Sequence, residues 1–143
     1  MTAPTATAKT VKEVLPNDAV HGLLTGLLRY RNDRWFTLES DGTKLAELLG
    51  YTNAELYMNF GGRLLDLVVP EDREMVRNLI TQQLLNSPSI ALGYRLRHKN
   101  GNTIWVLNKS HLSVETDGNE YLYGTLSDIT YSQKLQQELY ANL

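Results

Sequence analysis

The sequence predicts an α+β domain, with short helices gathered on one face of an antiparallel sheet. Three observations carry this. A period-two strand pattern returns three times after Pro88, interrupted by tight-turn sequences. Apolar residues spaced by three and four lie mainly before Pro88. Finally, strands and helices come in blocks and not in the regular alternation that builds a parallel sheet. The chain has 143 residues, 42% of them apolar and 21% charged. That is one domain's length, since domains commonly run to roughly 100–150 residues, and the composition of a chain with a packed core.

Residues 1–10 are small and polar and read as a tail, followed by a short helical segment around Val11, Val14 and Leu15 that Pro16-Asn17-Asp18 breaks. The spacing of Val20, Leu23, Leu24, Leu27 and Leu28 predicts a helix from Ala19 to Leu28, capped by Asp18. Arg29-Tyr30-Arg31 alternates as a strand. Asn32-Asp33 is a turn pair, and Arg34-Trp35-Phe36-Thr37-Leu38 is expected as the return strand of a hairpin.

Ser40-Asp41-Gly42 offers a cap to a short helix carrying Leu45, Leu48 and Leu49, with Gly50 as its left-handed stop. Thr52 or Asn53 can cap a second helix, with Glu55 in its first turn and Gly61-Gly62 as its break. Pro70-Glu71-Asp72 opens the longest amphipathic stretch, Met75, Val76, Leu79, Ile80, Leu84 and Leu85, which ends at Asn86-Ser87-Pro88. Ile90 to Leu96 then alternates as a strand. Lys99-Asn100-Gly101-Asn102 turns the chain into Ile104–Leu112, and Glu115-Thr116-Asp117-Gly118-Asn119 turns it again into Tyr121–Ile129. Residues 131–143, with Leu135, Leu139 and Leu143 among glutamines, predict an exit helix. The total is five strands.

Composition removes several functions. With 14 lysines and arginines against 16 acids, the net charge is −2, so there is no basic surplus to release counterions from a nucleic acid. The absence of cysteine excludes disulfides, thiolate metal sites and cysteinyl adducts. No apolar run approaches the roughly 18 residues of a membrane span, and the segment after Met1 has no signal-peptide centre, so a cytoplasmic location is expected. His21, His98 and His111 stand apart from any serine or carboxylate spacing that would suggest a triad or a metal site, and Glu71 and Asp72 point to different sides of a helix. Catalysis is not expected.

Four motifs in order resemble the PAS (Per-Arnt-Sim) sensor domains over about residues 22–135. They are Leu48-Leu49-Gly50-Tyr51, Val69-Pro70-Glu71-Asp72-Arg73, the run from Tyr94 through Lys99-Asn100-Gly101 to Trp105, and Gly124-Thr125-Leu126-Ser127-Asp128-Ile129-Thr130. The chain departs from the family at Ser40-Asp41, in the glycine-rich stretch Met58–Gly62, and at Tyr131-Ser132-Gln133. The resemblance implies a five-stranded antiparallel sheet with helices on one face and an N-terminal segment over the other. It divides the chain into a tail and helical segment (1–21), the domain (22–130) and the start of a signalling helix (131–143). It implies a non-catalytic sensory module that controls an effector, of diguanylate cyclase or histidine kinase type, or a ligand-free dimerisation module.

Aligned on the family's turns, the helix-facing side presents Leu92, Tyr94, Leu96, Val106, Asn108, Ser110, Leu122, Gly124 and Leu126. An apolar wall with a few polar positions suits a small-ligand site, and equally suits a packed core. The ligand is left unknown. Without cysteine the covalent flavin and thioester chromophores of the family are excluded, and residues 70–87 lack the histidine that holds haem in other members. Non-covalent flavin has no positive mark. The opposite face carries Trp105, Leu107, Tyr121 and Tyr123 beside Arg95, Arg97, Lys109 and His111. Four large residues there call for a cover, from the N-terminal segment, a second copy, or both, so a homodimer is expected. Asp128, Ile129 and Thr130, where the last strand becomes the exit helix, are the expected route of output.

Overall fold

A computed structural model describes residues 9–10 and 25–141, with side chains described from residue 25 onward. The expected segment around Val11, Val14 and Leu15, the break at Pro16, the first part of the helix from Ala19, His21 and Leu143 lie outside the described residues, as does the expected N-terminal cover.

The sheet follows from the alternation. Strands β2 (Leu28–Arg31), β3 (Ser89–Arg97), β4 (Thr103–Val114) and β5 (Glu120–Asp128) pair antiparallel, and a two-residue strand, β1 (Lys9–Thr10), adds to the edge in the order β1-β3-β4-β5-β2. The expected set of five strands is not confirmed, because Arg34–Leu38 makes only isolated bridges, Tyr30 to Leu38 and Thr37 to Arg63. The reason is local. Asp33 Oδ1 accepts from the amides of Trp35 and Thr37 and its Oδ2 from the Thr37 hydroxyl. Phe36 sits at φ 52, a left-handed conformation that costs a bulky residue about 1–3 kcal/mol. That turn drives the Phe36 ring into the core, edge-on to Tyr30, and presents the carbonyls of Trp35 and Phe36 to the amides of Leu65 and Leu64. Nor does the expected helix reach Leu28: residues 25–27 are irregular and Leu28 starts β2.

The helices cover one face. Helix α1 (Thr43–Leu49) ends on left-handed Gly50, and α2 (Asn53–Phe60) starts on a capping box between Thr52 and Glu55 and stops at left-handed Gly61. A third helix, α3 (Leu64–Leu67), was not expected: four residues are too few to show a period. Pro70–Asp72 forms a 3₁₀ turn leading into α4 (Arg73–Asn86). Of the six apolar residues expected to pack on this helix, Val76 and Ile80 are buried, Leu79 and Leu84 partly so, while Met75 and Leu85 face solvent. Helix α5 (Thr130–Ala141) leaves the sheet. None of the described helices is long and apolar enough to cross a membrane.

The exposed edge of β3 is closed piece by piece, which removes a template for uncontrolled strand pairing. The Gln83 side chain both accepts from and donates to the backbone of Ala91, β1 pairs Lys9 with Gly93 and Thr10 with Leu92, and the Asp72 carboxylate accepts from the amide of Arg95. Asp72, fully buried, also takes the Arg95 guanidinium at 2.7 Å. The core lies between this sheet and α1–α4.

Candidate functional site

The register sets the faces. Leu92 pairs with Asn108 and Asn108 with Leu126; Tyr94 pairs with Val106; Ser110 pairs with Gly124; Leu28 and Tyr30 of β2 face Gly124 and Leu122. Leu92, Tyr94, Leu96, Val106, Asn108, Ser110, Leu122 and Leu126 are all buried, on the side that α1–α4 cover. Gly124 is required there: a Cβ on it would run into the carbonyl of Lys109 and the hydroxyl of Ser110.

At the centre of this wall is a polar cluster. The Asn108 amide nitrogen donates to Tyr94 Oη at 2.9 Å and to Tyr30 Oη at 3.0 Å, and its oxygen accepts from Ser110 Oγ at 2.6 Å. The Tyr30 and Ser110 hydroxyls lie 2.7 Å apart. Each group thus finds its partner in another member of the cluster, as a buried polar set must. Burial pushes the Tyr94 hydroxyl far above its ordinary pKa; it pushes Tyr30 up as well, partly offset by the bonds to Ser110 and Asn108. Tyr30 was not among the residues singled out on the sequence, because it arrives from β2. The parity that puts Leu28 inward and Arg29 and Arg31 outward marks it.

Beside the cluster, Leu28, Tyr30, Leu38, Leu45, Leu56, Gly62, Leu64 and Leu67 enclose a void of about 10 Å³, about room for one water. A haem or a flavin ring does not fit that space as the chain is folded, and no residue of the predicted ligand wall borders it; Tyr30 alone links it to the polar cluster. Among the described residues no group of three or more histidines, cysteines and acids is placed to hold a metal ion.

On the outer face, Trp105, Leu107 and Tyr121 are buried and Tyr123 half-buried. The Arg29 guanidinium lies 4.0 Å from the centroid of the Tyr121 ring, with its Nε buried and without a hydrogen-bond partner. Tyr123 donates to Glu115 at 2.7 Å, and that bond is the main reason its hydroxyl ionises at higher pH than usual. His111 meets Ser89 at the strand edge, and His98 packs on Gly50.

The junction of β5 and α5 holds three bonds, two of them to Trp105 of β4. Asp128 Oδ1 accepts from the amide of Thr130, Thr130 Oγ1 accepts from the amide of Trp105 at 3.0 Å, and the amide of Ile129 donates to the Trp105 carbonyl at 2.9 Å. Of the three residues expected to carry output, Ile129 and Thr130 thus meet the main chain of Trp105, and Asp128 holds Thr130. Beyond them α5 buries Gln133 while Tyr131, Leu135 and Leu139 stand 62%, 43% and 68% exposed, so its apolar stripe faces outward.

A profile of the PAS fold matches residues 42–126. No curated protein matches the chain. Among solved structures, the chain is similar to a sensory box histidine kinase/response regulator of Burkholderia thailandensis, with 17% identity, 81% of this chain and 85% of that chain covered, and a TM-score of 0.61. It is similar to the N-terminal domain of a diguanylate cyclase with PAS/PAC sensor from Marinobacter aquaeolei, with 22% identity, 73% and 94% coverage and a TM-score of 0.57. An RNA-binding light-oxygen-voltage receptor shares 17% identity over 98% of this chain and 44% of its own, with a TM-score of 0.66. At these identities the likeness is one of fold.

Proposed function

The chain belongs to the PAS-fold family, and we propose that it is a non-catalytic, cytoplasmic regulatory module that pairs with a second copy and controls an effector of histidine kinase or diguanylate cyclase type. The observation that carries this reading is α5, a helix that buries a glutamine and turns Tyr131, Leu135 and Leu139 to water. An apolar stripe at intervals of four on an exit helix gains from a like helix beside it. In this reading Trp105, Leu107, Tyr121 and Tyr123 form the packing face, and Asp128, Ile129 and Thr130 pass a change in the sheet to the helix. No nucleic-acid partner is involved.

A second reading, favoured by the buried cluster of Tyr30, Tyr94, Asn108 and Ser110, makes the inner wall of Leu92, Tyr94, Leu96, Val106, Asn108, Ser110, Leu122 and Leu126 a small-ligand site that opens on binding. The closed hydrogen bonds and the small void favour the first reading. Sedimentation velocity of the chain beside a Leu135→Asp, Leu139→Asp variant tests pairing: a concentration-dependent dimer lost in the variant is expected, and a monomer in both would overturn it. Native mass spectrometry and an absorption spectrum of protein taken from cells separate the second reading, which requires a bound small molecule.

A further inference from the structure

A groove of about 220 Å³ lies between α5 and the β3–β4 hairpin, lined by Arg95, Thr103, Trp105, Thr130, Lys134 and Gln137 among others. Its volume contrasts with the roughly 10 Å³ void inside the core. No carboxylate is among its described lining residues. Asp72 takes Nε and Nη2 of Arg95, and the remaining terminal nitrogen makes no hydrogen bond among the described residues. Lys134 has no ion pair there either, and the Thr103 hydroxyl and the Gln137 amide are likewise without described partners. Arg95, only partly engaged by Asp72, and Lys134 thus line with two neutral polar side chains a recess beside Trp105 that has no acid among its described lining residues, the inverse of what a cation would need.

We propose that this groove binds a small organic anion, a carboxylate or a phosphate on a short body, held between Arg95 and Thr103 of the hairpin and Lys134 and Gln137 of α5. Bound there, the anion bridges the sheet to the exit helix and holds α5 in one orientation. This deepens the reading of α5 as the output element, while binding itself stands on the groove alone. The site lies outside the helix-covered core, so it needs no opening of the Asn108 cluster. Binding that differs between two positions of α5 would bias them, which is all that regulation by a ligand requires.

The test is a titration of the isotope-labelled chain with succinate and, separately, with inorganic phosphate, followed through backbone amide resonances. Saturable shifts centred on Thr103, Lys134 and Gln137 are expected with one of the two, and the probe that binds identifies the oxyanion. Lys134→Gln, at an exposed position, is expected to weaken binding about tenfold, the loss of one charge-assisted contact. Thr103→Val serves as a second variant that leaves the Arg95–Asp72 pair intact. Shifts that never saturate, that spread evenly over the surface lysines, or that persist unchanged in both variants would overturn the site. Sedimentation of the same samples keeps the two ideas apart: a dimer that binds neither probe overturns the groove and leaves the pairing of α5 standing.

Discussion

The side-chain amide of Asn108 donates to the hydroxyl of Tyr30 at 3.0 Å across 78 positions of sequence, joining the central strand β4 to the edge strand β2 inside the core. Replacing Asn108 with leucine would leave Tyr30, Tyr94 and Ser110 with buried hydroxyls short of a partner. A loss of about 1–3 kcal/mol in stability is expected. Thermal melts of Asn108→Leu and wild type, each with and without small molecules extracted from cells, check it. Equal destabilisation in both conditions supports a packed interior; stability near wild type with loss of ligand binding would favour the inner wall as a ligand site.

Gly124 of β5 pairs with Ser110 of β4 on one side and Leu28 of β2 on the other. A methyl group there meets the Lys109 backbone and Ser110, neither of which is the free end of a long side chain. Replacing glycine in a strand by alanine ordinarily gains a few tenths to about 1 kcal/mol. Here overpacking reverses the sign, and Gly124→Ala is expected to cost about 1–3 kcal/mol by chemical denaturation. Because the added methyl displaces Ser110, the Tyr30 hydroxyl resonance is expected to move as well.

How much of this could be read beforehand depended on range. The three later strands were legible because period-two alternation and the turns at Asn100-Gly101 and Asp117-Gly118 are local signals. Asp33 and Phe36 defeated the first hairpin, since a side chain that collects three hydrogen bonds and a left-handed phenylalanine leave no mark on hydrophobic period. The cluster around Asn108 was half legible. Its amide demanded partners, but Tyr30 supplies one from a strand whose pairing with β5 is visible only in the folded chain.

The junction of Trp105 with Thr130 gives a prediction for output. Asp128→Ala removes the acceptor for the Thr130 amide and is expected to lower stability by about 1 kcal/mol, the ordinary cost of losing a helix cap. Thr130→Val removes the acceptor for the Trp105 amide while keeping the side chain's shape. Both variants are expected to fold, with faster hydrogen exchange confined to the first turn of α5. Under the proposed control of an effector, they would also uncouple output from the sheet. Unchanged exchange in α5 together with unchanged output would show that these bonds serve only to end the strand.

Alkaline pH offers a test of the core that needs no variant at first. Tyr30 and Tyr94 are held above the ordinary tyrosine value of 10.0 chiefly by burial, so the folded chain keeps both protons at a pH where the unfolded chain releases them. The folded state then binds more protons than the unfolded one, and stability falls as pH rises. Their contribution is fully present below 10.0 and is lost as pH climbs from there toward the raised folded values. Denaturant titrations from neutral pH upward are expected to show a flat region, then a decline beginning near 10.0. Tyrosinate absorbance from the two buried rings should appear with unfolding and not before it. Tyr94→Phe, less stable at neutral pH because Asn108 loses an acceptor, is nonetheless expected to decline less steeply, by one proton in the slope. Ionisation of both buried tyrosines in the intact fold, without loss of stability, would show that water reaches the cluster and that the interior is more open than its hydrogen bonds imply.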